Sequence, residues 1–391
     1  MRILHTDFHR GWGGQPARTL MMSRLLAEQG HEVVMATPAG SMLSERARAA
    51  GLATFEAVAF RKSKHLLSAW RDASRLARHL VERGYDLVDA HGSQDLWACL
   101  LARRLARARL PLVFTRHNTK RVRAHPGNRW LYRRQVDHLI VASSSVLERY
   151  EPFLRRGDLR RERVSIVESA YRTDRFHPGV DGRGVRRELG VVDGTPLVGV
   201  VGRLVRDKGH DDLLRAAVQI LARRPEVLFV MIGTGSREAE LKALAARLGV
   251  AAAVRFLGFR DDMPELTSAL TLSVLPSVDC DASSAVLKEA LACGVPAVAT
   301  DVGGASAILR HGETGIVVPP RDPARLAEAI LALLADPERA REMGRRGSRD
   351  VAARFGPERL ARGTLQAYRT AVARYRQRRE IGAPARAGSA R

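Results

Sequence analysis

The run Leu275-Pro276-Ser277-Val278-Asp279-Cys280-Asp281-Ala282-Ser283-Ser284-Ala285-Val286-Leu287-Lys288-Glu289-Ala290-Leu291-Ala292-Cys293-Gly294-Val295-Pro296-Ala297-Val298-Ala299-Thr300-Asp301-Val302-Gly303-Gly304 decides how this chain folds. An apolar strand, Leu270 to Leu275, stops at Pro276, and a short polar loop follows. Val286, Leu287, Ala290 and Leu291 then share one face at helical spacing. Gly294 and Pro296 end that helix, and Ala297 to Thr300 begins another strand. In a parallel α/β sheet, ligands bind where a strand ends and a helix begins. The first N–H groups of the helix, around Ser283, Ser284 and Ala285, have no partner within it and suit an anionic group. Asp281 precedes the helix and Glu289 lies within it. A carboxylate is repelled by phosphate but accepts from hydroxyls, so both acids fit the O–H groups of a sugar or ribose.

Similar punctuation recurs through both halves. Pro196 to Val201 reads as a buried parallel strand, followed by Gly202-Arg203-Leu204-Val205-Arg206-Asp207-Lys208-Gly209. Arg203 and Lys208 stand at that strand-to-helix junction, where a diphosphate would find compensating charge. Strands are expected at Val227–Ile232 and Val254–Phe259, and helices over 324–335 and 357–379. In the first half, Met1–His5 is a strand and Gly11-Trp12-Gly13-Gly14 a turn. A helix over Thr19–Gln29 and a strand over Glu32–Thr37 follow. A glycine-rich turn before a helix lets a ligand approach the backbone. An amphipathic helix is expected over Leu66–Arg83, and a strand over Leu139–Ser144. The strands Tyr85–His91 and Leu112–His117 each end on a histidine. Neither Gly-x-Gly-x-x-Gly nor Gly-x-x-x-x-Gly-Lys-Ser/Thr occurs.

Length and composition bound the answer. A chain of 391 residues exceeds one ordinary core, so two domains are expected. No apolar run approaches the ~18–20 residues of a membrane span. The apolar stretch in Met1–Asp7 is too short for a signal peptide. Cys99, Cys280 and Cys293 are odd in number and lack metal-type spacing, which fits a reducing cytoplasm. The formal net charge of +23 points to an anionic partner or to an arginine-rich coding bias. Residues 96–136 contain no acid, and their arginines interleave with Leu101, Leu105, Trp130, Leu131 and Tyr132. That pattern suits an anionic inner-membrane surface or glycolipid, and also a solvated face. No nucleic-acid reader motif is visible, so nucleic acid is not an expected partner.

The quoted run resembles the retaining glycosyltransferases of family 4. Their pattern is Pro-Ser, Glu, seven residues, Glu, then Gly-x-Pro-Val and Asp-x-Gly-Gly. The match continues through Gly312-x-Thr314-Gly315 and Pro319-Pro320, and departs at Asp281, where the family has Glu. Gly202-Arg203-Leu204 with Lys208-Gly209, and Arg175-Phe176-His177-Pro178, also match. The family's Asn-Gly before the latter is replaced by Glu168-Ser169.

The resemblance implies an α/β chain of GT-B type, with two Rossmann-like domains whose parallel sheets face across a cleft. It places an acceptor-binding domain at 1–170 and a nucleotide-sugar domain at 171–360. A helix over 361–380 would cross back to the first domain, and a disordered tail would occupy 381–391. By position, it gives the donor diphosphate to Arg203, Lys208, Ser283, Ser284 and Ala285, and the ribose to Glu289. Main chain near Phe259 and Arg260 borders the base, and Gly13 and Gly14 face the cleft. His91 and Arg116 lie on the acceptor side, with Asp281 and His117 as catalytic residues. Asp281 either holds sugar hydroxyls or attacks the anomeric carbon; His117 accepts a proton or hydrogen-bonds a hydroxyl.

The implied reaction is retaining transfer from a nucleotide sugar to a saccharide or glycolipid acceptor, in surface polysaccharide or lipopolysaccharide synthesis. Asp279-Cys280-Asp281 has Asp-x-Asp spacing but falls inside the family pattern, so neither cofactor nor metal is expected. The expected location is cytoplasmic, peripheral on the inner face of the cell membrane. Alternatives are a GT-B epimerase or phosphorylase, or a membrane-associated binding protein with weak chemistry.

Overall fold

The structure is a computed structural model that describes residues 1–61, 66–279 and 284–381. It divides into two compact units. Unit 1 contains residues 1–117, 121–168 and the segment from Pro357 onward; unit 2 contains 118–120 and 169–356. The helix Pro357–Ile381 therefore groups with unit 1. The expected tail at 381–391 lies outside the described residues except for Ile381.

Unit 1 is built on seven strands: β1 (Arg2–Thr6), β2 (Glu32–Pro38), β3 (Ala53–Val58), β4 (Leu87–Ala90), β5 (Leu112–Arg116), β6 (His138–Val141) and β7 (Val164–Ile166). They lie in the order β3-β2-β1-β4-β5-β6-β7. Every neighbouring pair is parallel. Ile3, Leu4, Leu87, Val113 and Leu139 are solvent-free, as expected for strands covered on both faces.

Unit 2 has six strands: β8 (Leu197–Val201), β9 (Leu228–Ile232), β10 (Val254–Gly258), β11 (Leu272–Leu275), β12 (Ala297–Thr300) and β13 (Ile316–Val318). Their order is β10-β9-β8-β11-β12-β13, again all parallel.

The strand order reverses between β1 and β4 in unit 1 and between β8 and β11 in unit 2. These are the topological switch points, where the loops on either side diverge and leave room for a ligand.

In unit 2 the switch point is held closed at its base. Gly209 has φ +65, and a Cβ there would lie 1.8 Å from the Pro276 carbonyl oxygen. The Val278 amide donates to the Asp207 carbonyl at 2.9 Å. The loop after β8 and residues 276–278 after β11 are thus packed together. The loop after β9 joins them: a Cβ on Gly235 would meet the Leu204 carbonyl oxygen at 2.3 Å.

In unit 1 the C-terminal helix is fastened to the sheet by a buried polar chain. The Tyr368 hydroxyl donates to Asp89 Oδ2 at 2.5 Å, and His5 Nε2 lies 2.9 Å from the same hydroxyl. His5 Nδ1 is 2.7 Å from Ser23 Oγ, and Thr115 Oγ1 donates to Asp89 at 2.7 Å. Burial pushes the Asp89 carboxyl up to about 7, against the lowering pull of Tyr368, Thr115 and Arg18. It pushes His5 down to about 3, so that ring is neutral.

Several boundaries differ from the sequence expectation. The first helix spans Gly14–Glu28, five residues ahead of the expected Thr19, so Gly14 is helical and only Gly13 caps it. The apolar spacing of Leu20, Leu25 and Leu26 marks the packed turns, and Gly14-Gln15 carries no such signal. The strand β3 and the helix Pro337–Arg354 were not expected. Only Val58 of β3 is buried, and that helix has few apolar positions among its arginines.

Two stability predictions follow. Gly209→Ala places a Cβ against Pro276 at a positive φ and lowers stability by at least about 1–2 kcal/mol, read as a drop in Tm. Tyr368→Phe leaves the Asp89 and His5 polar atoms each short of a partner and destabilises by about 1–3 kcal/mol in denaturant titration; an unchanged midpoint would refute the fastening role.

Candidate active site

Unit 2 gathers its charged candidates at the carboxyl ends of β8 and β11. Arg203 leaves the end of β8 and is exposed, and among the described residues its guanidinium makes no ion pair. Lys208 closes a single helical turn, Arg206–Lys208, and its aliphatic stem lies against the Gly202 backbone, 3.7 Å from a notional Cβ. The fold therefore places Arg203 and Lys208 in one loop, and that loop is packed on the segment leading from β11 to the helix Ala285–Ala292.

Ser284 caps that helix and is buried; Ala285 is its first residue and is half-buried. Asp281 and Ser283 fall outside the described residues.

Glu289 sits one turn into the helix, half-buried. Burial pushes its carboxyl up to about 7, opposed by Arg175 and Lys288. Lys288 is itself buried: its ammonium donates to the Ser169 carbonyl at 2.7 Å and lies 4.2 Å from the Phe355 ring centroid. Reading the sequence assigned no role to Lys288, because a lysine beside an acid on a helix resembles an ordinary surface pair. Arg175, whose guanidinium donates to the Asp261 carbonyl, carries a sequence signal in the intact Arg-Phe-His-Pro motif.

Phe259 is exposed after β10. The Arg260 side chain is occupied: it forks onto Glu188 at 2.6 and 2.8 Å and onto Asp262 at 2.8 and 2.6 Å. It fixes the loop, and only its main chain remains for a ligand.

Unit 1 brings three histidines to its own switch point. His91 follows β4 and is buried, and His117 follows β5 and is half-buried. His91 Nδ1 lies 2.8 Å from His117 Nε2, so one ring donates and the other accepts. His91 Nε2 lies 3.7 Å from Asp89 Oδ2. Burial, with Arg18 among the neighbouring cations, holds both histidines well below the usual range, so both are neutral.

His5, Asp89 and His91 offer ligand atoms within 4.8 Å of one another. Serine, tyrosine and threonine already hydrogen-bond the first two, so the cluster works as a structural hydrogen-bond chain.

Gly13 and Gly14 face open space, since a Cβ at either would meet nothing within 4 Å. Arg116 ends β5 and points one guanidinium nitrogen at Ser93 Oγ, 3.5 Å away. Among the described residues, no helix is long and apolar enough to cross a membrane.

Comparisons with known proteins agree with this architecture. Residues 183–350 match the family described as Glycosyl transferases group 1, and residues 12–175 match Glycosyltransferase Family 4. A D-inositol 3-phosphate glycosyltransferase of Acidothermus cellulolyticus is 34% identical over 337 residues, covering 79% of this chain and 73% of that protein. A GDP-mannose-dependent monoacylated alpha-(1-6)-phosphatidylinositol monomannoside mannosyltransferase of Corynebacterium glutamicum is 32% identical over 246 residues, covering 60% and 63%. The crystal structure of Anabaena HepE in complex with UDP superposes with a TM-score of 0.81 at 22% identity, covering 95% of this chain and 100% of that one. The two parallel sheets, the motif run and a relative of this identity and coverage together establish that the chain belongs to the family 4 glycosyltransferases and has the GT-B fold.

Proposed function

We propose that the protein transfers a glycosyl residue, with retention at the anomeric carbon, from a nucleoside-diphosphate sugar held by unit 2 to a saccharide or lipid-linked saccharide held by unit 1. The observation that carries this reading is the junction of Gly209 with Pro276. It joins a loop bearing Arg203 and Lys208 to the loop leading into the helix of Glu289. Cations for a diphosphate and an acceptor for ribose hydroxyls thus share one sheet edge.

In this reading Arg203 and Lys208 stabilise the negative charge that grows on the diphosphate as the sugar leaves. The nucleoside diphosphate is itself a competent leaving group, so no strong acid is required. Asp281 holds sugar hydroxyls or attacks the anomeric carbon. Neutral His117 hydrogen-bonds a hydroxyl. Cofactor and metal are not required by these roles.

The acceptor has a second reading. The relatives above are named for a phosphorylated inositol and for a phosphatidylinositol mannoside, which favours a phosphorylated polyol over a lipopolysaccharide core. Thermal protection of the purified protein by a panel of nucleotide sugars, followed by product analysis, tests the donor assignment. An epimerised donor in the absence of any acceptor would replace the transfer reading with an epimerase.

Three outcomes are expected. Glu289→Ala weakens donor binding by about 1–3 kcal/mol, measured by titration calorimetry, and near-normal affinity would remove the ribose role. Donor affinity falls as pH drops through about 7, because the protonated Glu289 carboxyl loses acceptor capacity; the fall is absent in Glu289→Gln. Arg203→Ala combined with Lys208→Ala lowers kcat by roughly 10²–10³ or more while the Tm stays within a few degrees.

A further inference from the structure

A cavity of ≈ 250 Å³ opens in unit 1 beside the end of β5, among Ser93, Trp97, Arg116, Arg121, Arg123 and His125. None of its lining residues is acidic. Nearby arginines are neutralised by buried acids: Arg103 donates to Asp137 at 2.8 Å and Arg129 to Asp158 at 2.8 Å. Arg121 and Arg123 are different. Among the described residues, neither side chain makes an ion pair or hydrogen bond. Guanidinium groups facing one small volume repel one another unless an anion occupies it.

The loop that carries them is held in shape. Asn128 Nδ2 donates to the Arg123 carbonyl at 2.8 Å, and the Asn128 amide donates to His125 Nδ1 at 3.3 Å. An accepting Nδ1 puts the neutral ring's proton on Nε2, which makes His125 a further donor. Trp97 forms an apolar wall: it stacks on Trp130 at 6.3 Å between centroids, and Arg104 lies 4.9 Å from the Trp130 ring centroid.

We propose that this cavity is an anion-binding subsite that receives a phosphate monoester or diester carried by the acceptor. The Arg121 and Arg123 guanidiniums bind its oxygens, and Trp97 packs against the adjoining carbon skeleton. Each guanidinium fork takes two oxygens; a phosphate group offers the pair three or four, whereas the two oxygens of a carboxylate satisfy a single fork. The volume admits a phosphate with a small polyol or a glycerol backbone. Naming the ligand an acceptor rests on the transfer reading above; binding of the anion does not.

The test uses the full chain and two probes, glycerol 1-phosphate in calorimetry and phosphatidylglycerol vesicles in sedimentation. Glycerol and phosphatidylcholine vesicles are the uncharged and zwitterionic controls. The wild type binds a phosphate probe and neither control, and Arg121→Ala/Arg123→Ala binds it about tenfold or more weakly. Arg121→Lys/Arg123→Lys, which keeps charge but loses the fork, falls between the two. Binding of glycerol 1-phosphate assigns a soluble acceptor; binding of vesicles alone assigns a lipid headgroup. Equal affinity in wild type and alanine variant, or no binding of either phosphate probe, overturns the proposal. The thermal shift given by a nucleoside diphosphate reports that each variant is folded, and the lysine pair decides the matter where the alanine pair is unfolded. Absence of that shift in the wild type, with phosphate binding intact, would instead defeat the transfer reading.

Discussion

The contact between Gly209 and the Pro276 carbonyl governs unit 2. Parallel strands β8 and β11 are neighbours in the sheet but far apart in sequence, so their loops need not stay together. Here the approach is so close that no side chain fits, and the backbone at Gly209 is left-handed where the next helix begins. The backbone that carries Arg203 and Lys208 is therefore held against Pro276 and Val278 at the end of β11. In the proposed transfer, a loop held by backbone suits the stabilisation of a leaving diphosphate, because a preorganised donor needs no rearrangement as the bond breaks.

Unit 1 keeps the imidazoles at its switch point neutral. Its switch point contains His5, His91 and His117, and burial keeps all three neutral. Asp89, raised to about 7, takes two hydroxyl donors and thereby anchors the C-terminal helix to β4. A neutral imidazole pair offers one donor and one acceptor without attracting an anion. In the proposal above, anion recognition falls to the arginines beyond β5. The two groups rest on different elements: His91 and His117 directly follow strands β4 and β5, and Arg121 and Arg123 lie in the loop beyond β5.

The strands that house the site were legible because both faces of a parallel sheet are buried, and runs such as Leu197–Val201 and Leu272–Leu275 are apolar without alternation. The places of Arg203, Lys208 and Glu289 in the loop after β8 and the helix after β11 were legible because they stand at fixed distances from Gly and Pro punctuation. Lys288 and Tyr368 were not. Each is a common residue in an ordinary helix, and its importance comes from a partner more than a hundred positions away. The early start of the first helix was hidden for a local reason: Gly13 and Gly14 carry the composition of a turn, and the packing of later turns overrides it.

The charge of the chain is uneven in a way that bears on acceptor choice. Residues 96–136 hold eleven lysines and arginines and no acid, which is +11 of the net +23. Were this only an arginine-rich coding bias, the excess would be spread and mostly matched, as it is in unit 2. There Arg237 pairs with Asp211 and Glu240, and Arg260 pairs with Glu188 and Asp262. In each of these pairs the positive charge is matched locally by carboxylates. In unit 1 the matched arginines, Arg103 and Arg129, lie against buried acids from later in the chain, whereas Arg121 and Arg123 converge with Arg116 on one cavity. Concentrated beside a concave surface, with Arg121 and Arg123 unmatched among the described residues, that charge has a direction, and a direction is what separates a binding field from a merely basic protein.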